Sequence, residues 1–231
     1  VKILSWNIRQ GGGSRLDGIL AAITDCDAGA VLLSEFRTNQ HGDQIRAALS
    51  ELGYTTQIHP DCDGRLNSVL AASRMAAETD TFPDCDPEFP HSLARLRLAK
   101  IDLYGVYLPH KKKHQLFPFL ESRLTGEGVP SIVAGDFNTG MNLIDQKGKT
   151  FWYTRELRHL NTIGYVDAFR HVHGKLKREY SWFSHGGNGY RYDHTWVHES
   201  LVDAIVDCRY LHEYREAGLS DHSPMVLELE G

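Results

Sequence analysis

Along this chain, apolar residues either recur every three to four positions or fill short runs bounded by Gly, Pro and Asn, and the two patterns alternate from end to end. VKILSWNI, residues 1 to 8, reads as a first strand, followed by the Gly-rich turn RQGGG. Leu16, Ile19, Leu20 and Ile23 then fall at helical spacing, with Ser14 as the expected N-cap. GAVLLSEF is a buried strand, and Ile45, Leu49 and Leu52 mark a second helix closed by Gly53. Strands are expected at 54–59 and 67–73. ETDTFPDCDPEFP is acidic and Pro-rich, the composition of a surface loop. LARLRLAKIDLYGVYLP alternates over two strands, with Leu96 and Leu98 opposing Arg95 and Arg97. Leu116 to Leu124 fits a helix that holds Pro118 in its first turn. PSIVAGDFN is another buried strand, and Tyr153, Leu157 and Leu160 predict a helix ended by Gly164. YSWFSHGGNGYRYDHTWV predicts two strands around a Gly/Asn turn, and MVLEL a last strand after SDHSP. Many strands interleaved with a few helices imply a layered α/β fold. With no internal repeat and no linker, residues 1–231 are expected to form one domain.

Composition changes this picture little. Hydrophobic residues at 41% and charged residues at 24% are those of a globular protein, and no stretch approaches the ~18 apolar residues of a membrane span. No signal peptide is visible. Four scattered cysteines are too few for a disulfide scaffold, so reduced thiols and a cytoplasmic location are expected. Asp-Cys-Asp occurs at 25–27, 61–63 and 84–86, and without a regular surround it reads as three surface turns rather than a metal site. A net charge of -5 argues against a chain that coats nucleic acid over its whole surface, but not against a local basic groove. HKKKH at 110–114 is a local concentration of that kind, and Lys111, Lys112 and Lys113 are candidates for tracking a polynucleotide backbone.

The chemistry lies at the strand ends. Asn7, Glu35, Tyr107 with His110, Asp136 with Asn138, Asp193, and Asp221 with His222 each stand where a predicted strand begins or stops. Singly, each has an ordinary reading: a turn former, an exposed strand terminus, a core aromatic with a wet tip for Tyr107, or a pairing of Asp193 with Arg191 or His194. Together they match the rule that loops at one set of strand ends converge on a ligand site. Glu35 and Asp221 are hard oxygen ligands to which Asn7 adds a carbonyl, a set suited to Mg²⁺ or Mn²⁺ rather than Zn²⁺. Of Asp136 and Asn138, one can take a proton from water while the other donates a hydrogen bond. His222 with Asp193 makes an oriented, positively biased imidazole. The set fits attack of water on a phosphate ester. It does not fit acyl transfer, since no Ser stands in a G-x-S-x-G elbow and no Cys beside a His.

SWNI, SEF, GVYLP, GDFN, YRYDHTWV and SDHSP occur in the order used by the endonuclease/exonuclease/phosphatase superfamily, and over nearly the whole chain. The SWFS…GYRYDHTWVHESL block and GYVDAFR most resemble the exonuclease III-like branch. That resemblance implies a four-layer α/β sandwich, two mixed sheets face to face with helices outside, and Mg²⁺-dependent phosphoester hydrolysis, here a DNA nuclease. It implies Glu35 as metal ligand supported by Asn7 and Asp221, Tyr107 on the scissile phosphate or leaving group, and Asp136 orienting the water. It also implies Asn138 on the phosphate and Asp193 paired with His222, with His110 and Trp182 facing substrate. Two departures concern substrate choice. His110 stands where repair members usually have Asn or Gln, and Ser34-Glu35 where they tend to read Gln-Glu. NGYRYDHTW does not resemble the signature of the inositol-phosphatase branch. The alternatives are a hydrolase of a small or lipid phosphoester, and a silent binding module that keeps the fold.

Overall fold

The computed structural model describes residues 1–111, 115–126 and 128–230. One six-stranded sheet runs, edge to edge, through Ile205–Tyr210 (β13), Met225–Leu229 (β14), Lys2–Asn7 (β1), Ala30–Phe36 (β2), Ser68–Ser73 (β4) and Thr56–Ile58 (β3). A second runs through Glu78–Thr81 (β5), Leu93–Arg97 (β6), Asp102–Tyr107 (β7), Ser131–Asp136 (β8), Asp193–His198 (β12) and Tyr165–Asp167 (β9). Leu16–Cys26 (α1) and Gln40–Glu51 (α2) pack on the outer face of the first sheet through Ile19, Ile23, Ile45 and Leu49. Leu116–Gly126 (α3) and Thr154–His159 (α4) cover the second through Phe117, Leu120 and Leu157. The short Ala168–His173 (α5) puts Phe169 into the core between the sheets, and His212–Glu216 (α6) lies on the α1 side. The order helix, sheet, sheet, helix is the four-layer sandwich.

The two sheets approach closely because their facing residues are small. Ala30 and Ala71 of the first meet Ala94 and Ala134 of the second, around Leu32, Leu96, Leu103 and Ile132. Gly105 belongs to this contact: a Cβ there would come within 3.1 Å of both Leu32 and Val69. Truncating a central residue such as Leu103, fully buried, would cost about 2–5 kcal/mol.

Each sheet holds one parallel pair, β1 with β2 and β7 with β8, while every other pairing is antiparallel. Parallel neighbours end on the same side. Asn7 lies opposite Ser34, just before Glu35, and Tyr107 lies opposite Asp136. Four of the six polar strand ends are thereby delivered together by the centre of the fold.

Three local expectations are corrected. Ser14 does not cap α1. Residues 9–13 all have positive φ, and the coil they make runs into a 3-10 turn at Gly13–Arg15, so Ser14 lies inside that turn and Arg15 takes the cap position. The acidic segment after residue 77 is not all surface loop. Glu78–Thr81 pairs with β6 as an edge strand, with Asp80 on Arg95, and Phe82 and Cys85 are buried. The aromatic block is not one pair of strands. Trp182–Phe183 (β10) and Gly189–Tyr190 (β11) make a two-stranded ribbon, and the chain then leaves it to enter the second sheet as β12. Arg191, fully buried, is drawn to acids beneath, and Ser181 Oγ accepts the backbone N–H of Tyr192 and of Asp193, fixing the crossing. The Asp-Cys-Asp triplets lie apart, at the end of α1 and in two loops, and all four cysteines are free. Among the described residues no helix is long and apolar enough to cross a membrane.

Candidate active site

Glu35 owes its position to a defect in the sheet. Ser34 pairs with Val69 and Phe36 with Ser68, so β2 carries one extra residue at Glu35, whose φ is 56°. Such a bulge re-aims a side chain that a regular strand would leave in line. The carboxylate accepts Asn7 Nδ2 at 3.2 Å and the Gln10 backbone N–H at 2.8 Å. Asn7, fully buried, donates through the same nitrogen to Asp136 Oδ2 at 2.9 Å, while its Oδ1 accepts the Arg9 N–H. It thereby bridges the two carboxylates.

Asp136 ends β8 after Gly135, where φ is 151° and a Cβ would fall 2.0 Å from the carbonyl oxygen of Val106. Only glycine lets β8 lie against β7 there. Asp136 also accepts the Asn138 backbone N–H at 2.7 Å and Asn138 Nδ2 at 3.1 Å, and that same nitrogen donates to the carbonyl of Leu108 at 2.9 Å. Burial pushes the Asp136 carboxyl up to about 7, with Asp193 adding to the shift against the opposing charge of His222.

His222 Nδ1 lies 2.7 Å from Asp193 Oδ2. Burial alone would lower this imidazole, but Asp193, with Asp136 and Asp221 behind it, overrides burial and lifts it to about 10. Its backbone is held as well: Trp6 Nε1 donates to the His222 carbonyl at 3.0 Å, and the His222 N–H donates to Ser220 Oγ, which in turn donates to the Asn7 carbonyl at 2.6 Å. Asp221 points the other way, accepting Trp182 Nε1 at 3.1 Å with Arg9 4.0 Å off. The hydroxyl of Tyr107 accepts Asn67 Nδ2 at 3.4 Å, and burial together with Glu35 and Asp136 pushes its ionisation far up.

A hollow of about 300 Å³ opens beside Asn138, walled by His110, Lys111, Trp152, Trp182 and Tyr190. A second, of about 280 Å³, lies across Tyr107 and His110, walled by Arg37, Arg65, Asn67 and His91. Larger hollows near α4 and α5 contain none of the residues expected at the site. Lys111 rests its ammonium 5.6 Å from the Trp152 ring centre, while Lys112 and Lys113 lie outside the described residues. Sequence reading missed Asn67, Arg37 and the aromatic walls at Trp152, Tyr190 and Tyr192. Of these, only the aromatic density of SWFS and GYRY was a visible signal.

Two groupings offer themselves to a cation. Asp136, Asp193 and His222 place one ligand atom each within 4.8 Å of one another. That trio suits a cation poorly, because His222 Nδ1 is committed to Asp193 and an imidazole lifted to about 10 is protonated at neutral pH. Glu35 and Asp221 are oxygen donors, the chemistry that hard divalent ions prefer, while Asn7 turns its nitrogen to Glu35 and its oxygen to the Arg9 N–H, and Asp221 faces Trp182. Asp193 Oδ1, buried without a hydrogen-bond partner, leaves further negative charge facing inward. The residues present fit a hard divalent cation at Glu35.

Residues 4–222 match the model of the endonuclease/exonuclease/phosphatase family, and the chain belongs to that family. It is 32% identical over 113 residues to an exodeoxyribonuclease of Bacillus subtilis, covering 42% of this chain and 44% of that one. It is 26% identical over 117 residues to an exodeoxyribonuclease of Streptococcus pneumoniae, covering 44% of this chain and 42% of that one, so the match spans less than half of either relative's length. An AP endonuclease from Archaeoglobus fulgidus has the same fold, with a TM-score of 0.86 over the full length of both chains at 23% identity.

Proposed function

We propose that the protein is a Mg²⁺- or Mn²⁺-dependent phosphodiesterase that cleaves DNA. The observation that carries this reading is the convergence of Glu35, Asn7 and Asp136 through one bridging amide, beside the Asp193–His222 pair. Glu35, oriented by Asn7, would hold the cation with Asp221, and the cation when bound stabilises charge on the phosphoryl oxygens. Asp136 serves as the base that orients water and takes its proton. A carboxyl raised to about 7 is well matched to that task near neutrality. Asn138 keeps the Asp136 oxygens aimed through its backbone N–H and its amide, and it reaches the phosphate only by exchanging its amide hydrogen bond to the Leu108 carbonyl. His222, with Nδ1 on Asp193, presents Nε2–H as a charged donor to the phosphoryl group. Tyr107 keeps its proton and donates it toward the scissile phosphate. The aromatic wall of Trp152, Trp182 and Tyr190 supplies a stacking surface for a base, and His110 with Lys111 a cationic rim.

The test is an activity panel with added Mg²⁺ or Mn²⁺ on duplex, single-stranded and abasic-site DNA, RNA, a phosphodiester dye and an inositol phosphate. Cleavage of DNA that EDTA abolishes and either ion restores is expected. Full activity in excess EDTA would sink the mechanism. Turnover of the inositol phosphate or the dye without DNA cleavage would replace this reading with that of a small-phosphoester hydrolase.

A further inference from the structure

Tyr107 ends the strand that pairs with Asp136, and a phenol helps a phosphoryl transfer only if its proton points at the reacting oxygens. A hydroxyl rotates freely unless a neighbour fixes it. Here the neighbour is Asn67, immediately before β4, whose Nδ2 lies 3.4 Å from Tyr107 Oη. Asn67 Oδ1 in turn accepts Arg37 Nε at 2.7 Å, and Arg37 follows the Glu35 bulge by two residues.

The order of atoms in this chain is fixed by chemistry. A guanidinium carries donors and no acceptor, so the Asn67 oxygen must face Arg37 and its NH₂ must face Tyr107. An amide N–H then occupies the phenol's lone pair on that side, and the phenol's own hydrogen must turn elsewhere. Burial and the Glu35 and Asp136 carboxylates keep that hydrogen on Tyr107. Asn67 and Tyr107 both line the hollow of about 280 Å³, so the pair sits where substrate would pass.

We propose that Arg37 and Asn67 are positioning residues for catalysis: Arg37 fixes the Asn67 amide, and the amide fixes Tyr107 as a hydrogen-bond donor toward the scissile phosphate. The proposal rests on the phosphodiesterase reading above. A purely structural role is the competing account, in which Arg37 and Asn67 only tie the end of β2 to the start of β4.

The two accounts separate on Asn67→Asp. Aspartate keeps the size and gives Arg37 a stronger partner, so a structural tie is preserved or improved. Yet a carboxylate only accepts, so it takes the Tyr107 proton and turns it from the substrate. Rates are read on duplex DNA bearing one abasic site and a 5′ fluorophore, which reports both endonucleolytic and 3′-exonucleolytic cleavage, with far-UV circular dichroism as the folding control. Asn67→Ala is expected to lower kcat about 10-fold with KM little changed, and Asn67→Asp to lower it about 10²-fold, the scale of a misplaced catalytic group. In a Tyr107→Phe background, either substitution should add nothing to the residual rate. Asn67→Asp at or above the rate of Asn67→Ala overturns the proposal, as do losses that multiply in the Tyr107→Phe background. A parent enzyme that cleaves no phosphodiester removes the underlying reading and this inference with it. Cleavage by the parent with the wrong ranking removes this inference alone.

Discussion

Arg191 and Asp193 stand two residues apart, and each enters a buried cluster of carboxylates with the opposite outcome. On the Arg191 side, Asp145 and Asp167 meet two guanidiniums. Arg191 Nε donates to Asp145 at 2.7 Å and its other nitrogens to Asp167, while Arg170 also donates to Asp145. Burial opposes ionisation of Asp167, but Arg191 and then His194 override it and hold the carboxyl well below the usual range. On the Asp193 side, Asp136 and Asp193 share one imidazolium already committed to Asp193, and Asp136 is pushed up to about 7. Asp167 at 5% and Asp136 at 1% exposure are both buried, so depth does not separate them. The supply of cations does. A compensated cluster serves as framework. An under-compensated one keeps a carboxyl poised to exchange a proton, a property suited to catalysis.

The sharpest break in this contrast comes from removing the cation of the framework cluster. Arg191→Met leaves Asp145 and Asp167 with Arg170 as their one guanidinium, beside His194, and is expected to cost about 3–5 kcal/mol of stability, measured by urea denaturation. Arg191→Lys should recover only part of it, because an ammonium cannot reproduce the fork. An unchanged denaturation midpoint in the Met variant would show that the cluster is not framework.

The reactive cluster should respond in rate rather than stability. Asp136→Asn is expected to lose at least ~10²-fold in kcat with an unchanged circular dichroism spectrum, the scale of a lost general base. His222→Ala and Asp193→Ala should each be severe, and the double variant little worse than either single one, since paired groups are non-additive. Losses that simply multiply would mean the two do not act together.

The smallest effect is the pH profile, which sharpens the comparison. Asp136 is raised, so its basic form is lost as pH falls through about 7. His222 is also raised, so its charged form is lost as pH rises through about 10. A profile of kcat/KM flat between those limbs is expected, with the acid limb moving lower as Mg²⁺ is increased, because a cation near Glu35 favours the carboxylate. The framework acids should contribute no limb. An acid limb that survives in the residual activity of Asp136→Asn would assign it to another group.

The elements of this fold were legible where periodicity ran long: α1, α2, β1, β2, β7 and β8 lie where the apolar spacing puts them. Glu35, Asp136 and the Asp193–His222 pair were legible as polar residues at the ends of apolar runs. The three-residue β9 was not, because a period of two needs more residues to show, and the Gly/Asn turn marked β10 and β11 without marking the break before β12. Nor was the Glu35 bulge, since positive φ at a non-glycine leaves no mark in residue type. Asn67 immediately precedes a strand, where an asparagine reads as a turn former, and its link to Arg37 and Tyr107 exists only after β2, β4 and β7 have assembled. The Asp145–Asp167–Arg191 cluster joins residues up to 46 positions apart, and no local pattern announces such a meeting.

The pairing of β1 with β14 ties assembly of the site to contacts of very long sequence separation. Asn7 is separated by more than 200 positions from the strand beside it and from the Asp221–His222 pair just ahead of that strand. Contacts of such separation form slowly, because loop-closure entropy is met before they reward it. When the final strand docks between β13 and β1, it closes contacts more than 200 positions apart, of which Trp6 to the His222 carbonyl is one. A chain that has not yet closed its first sheet therefore lacks the anchor that holds His222 against Asp193, so the sheet and the site are completed in one event.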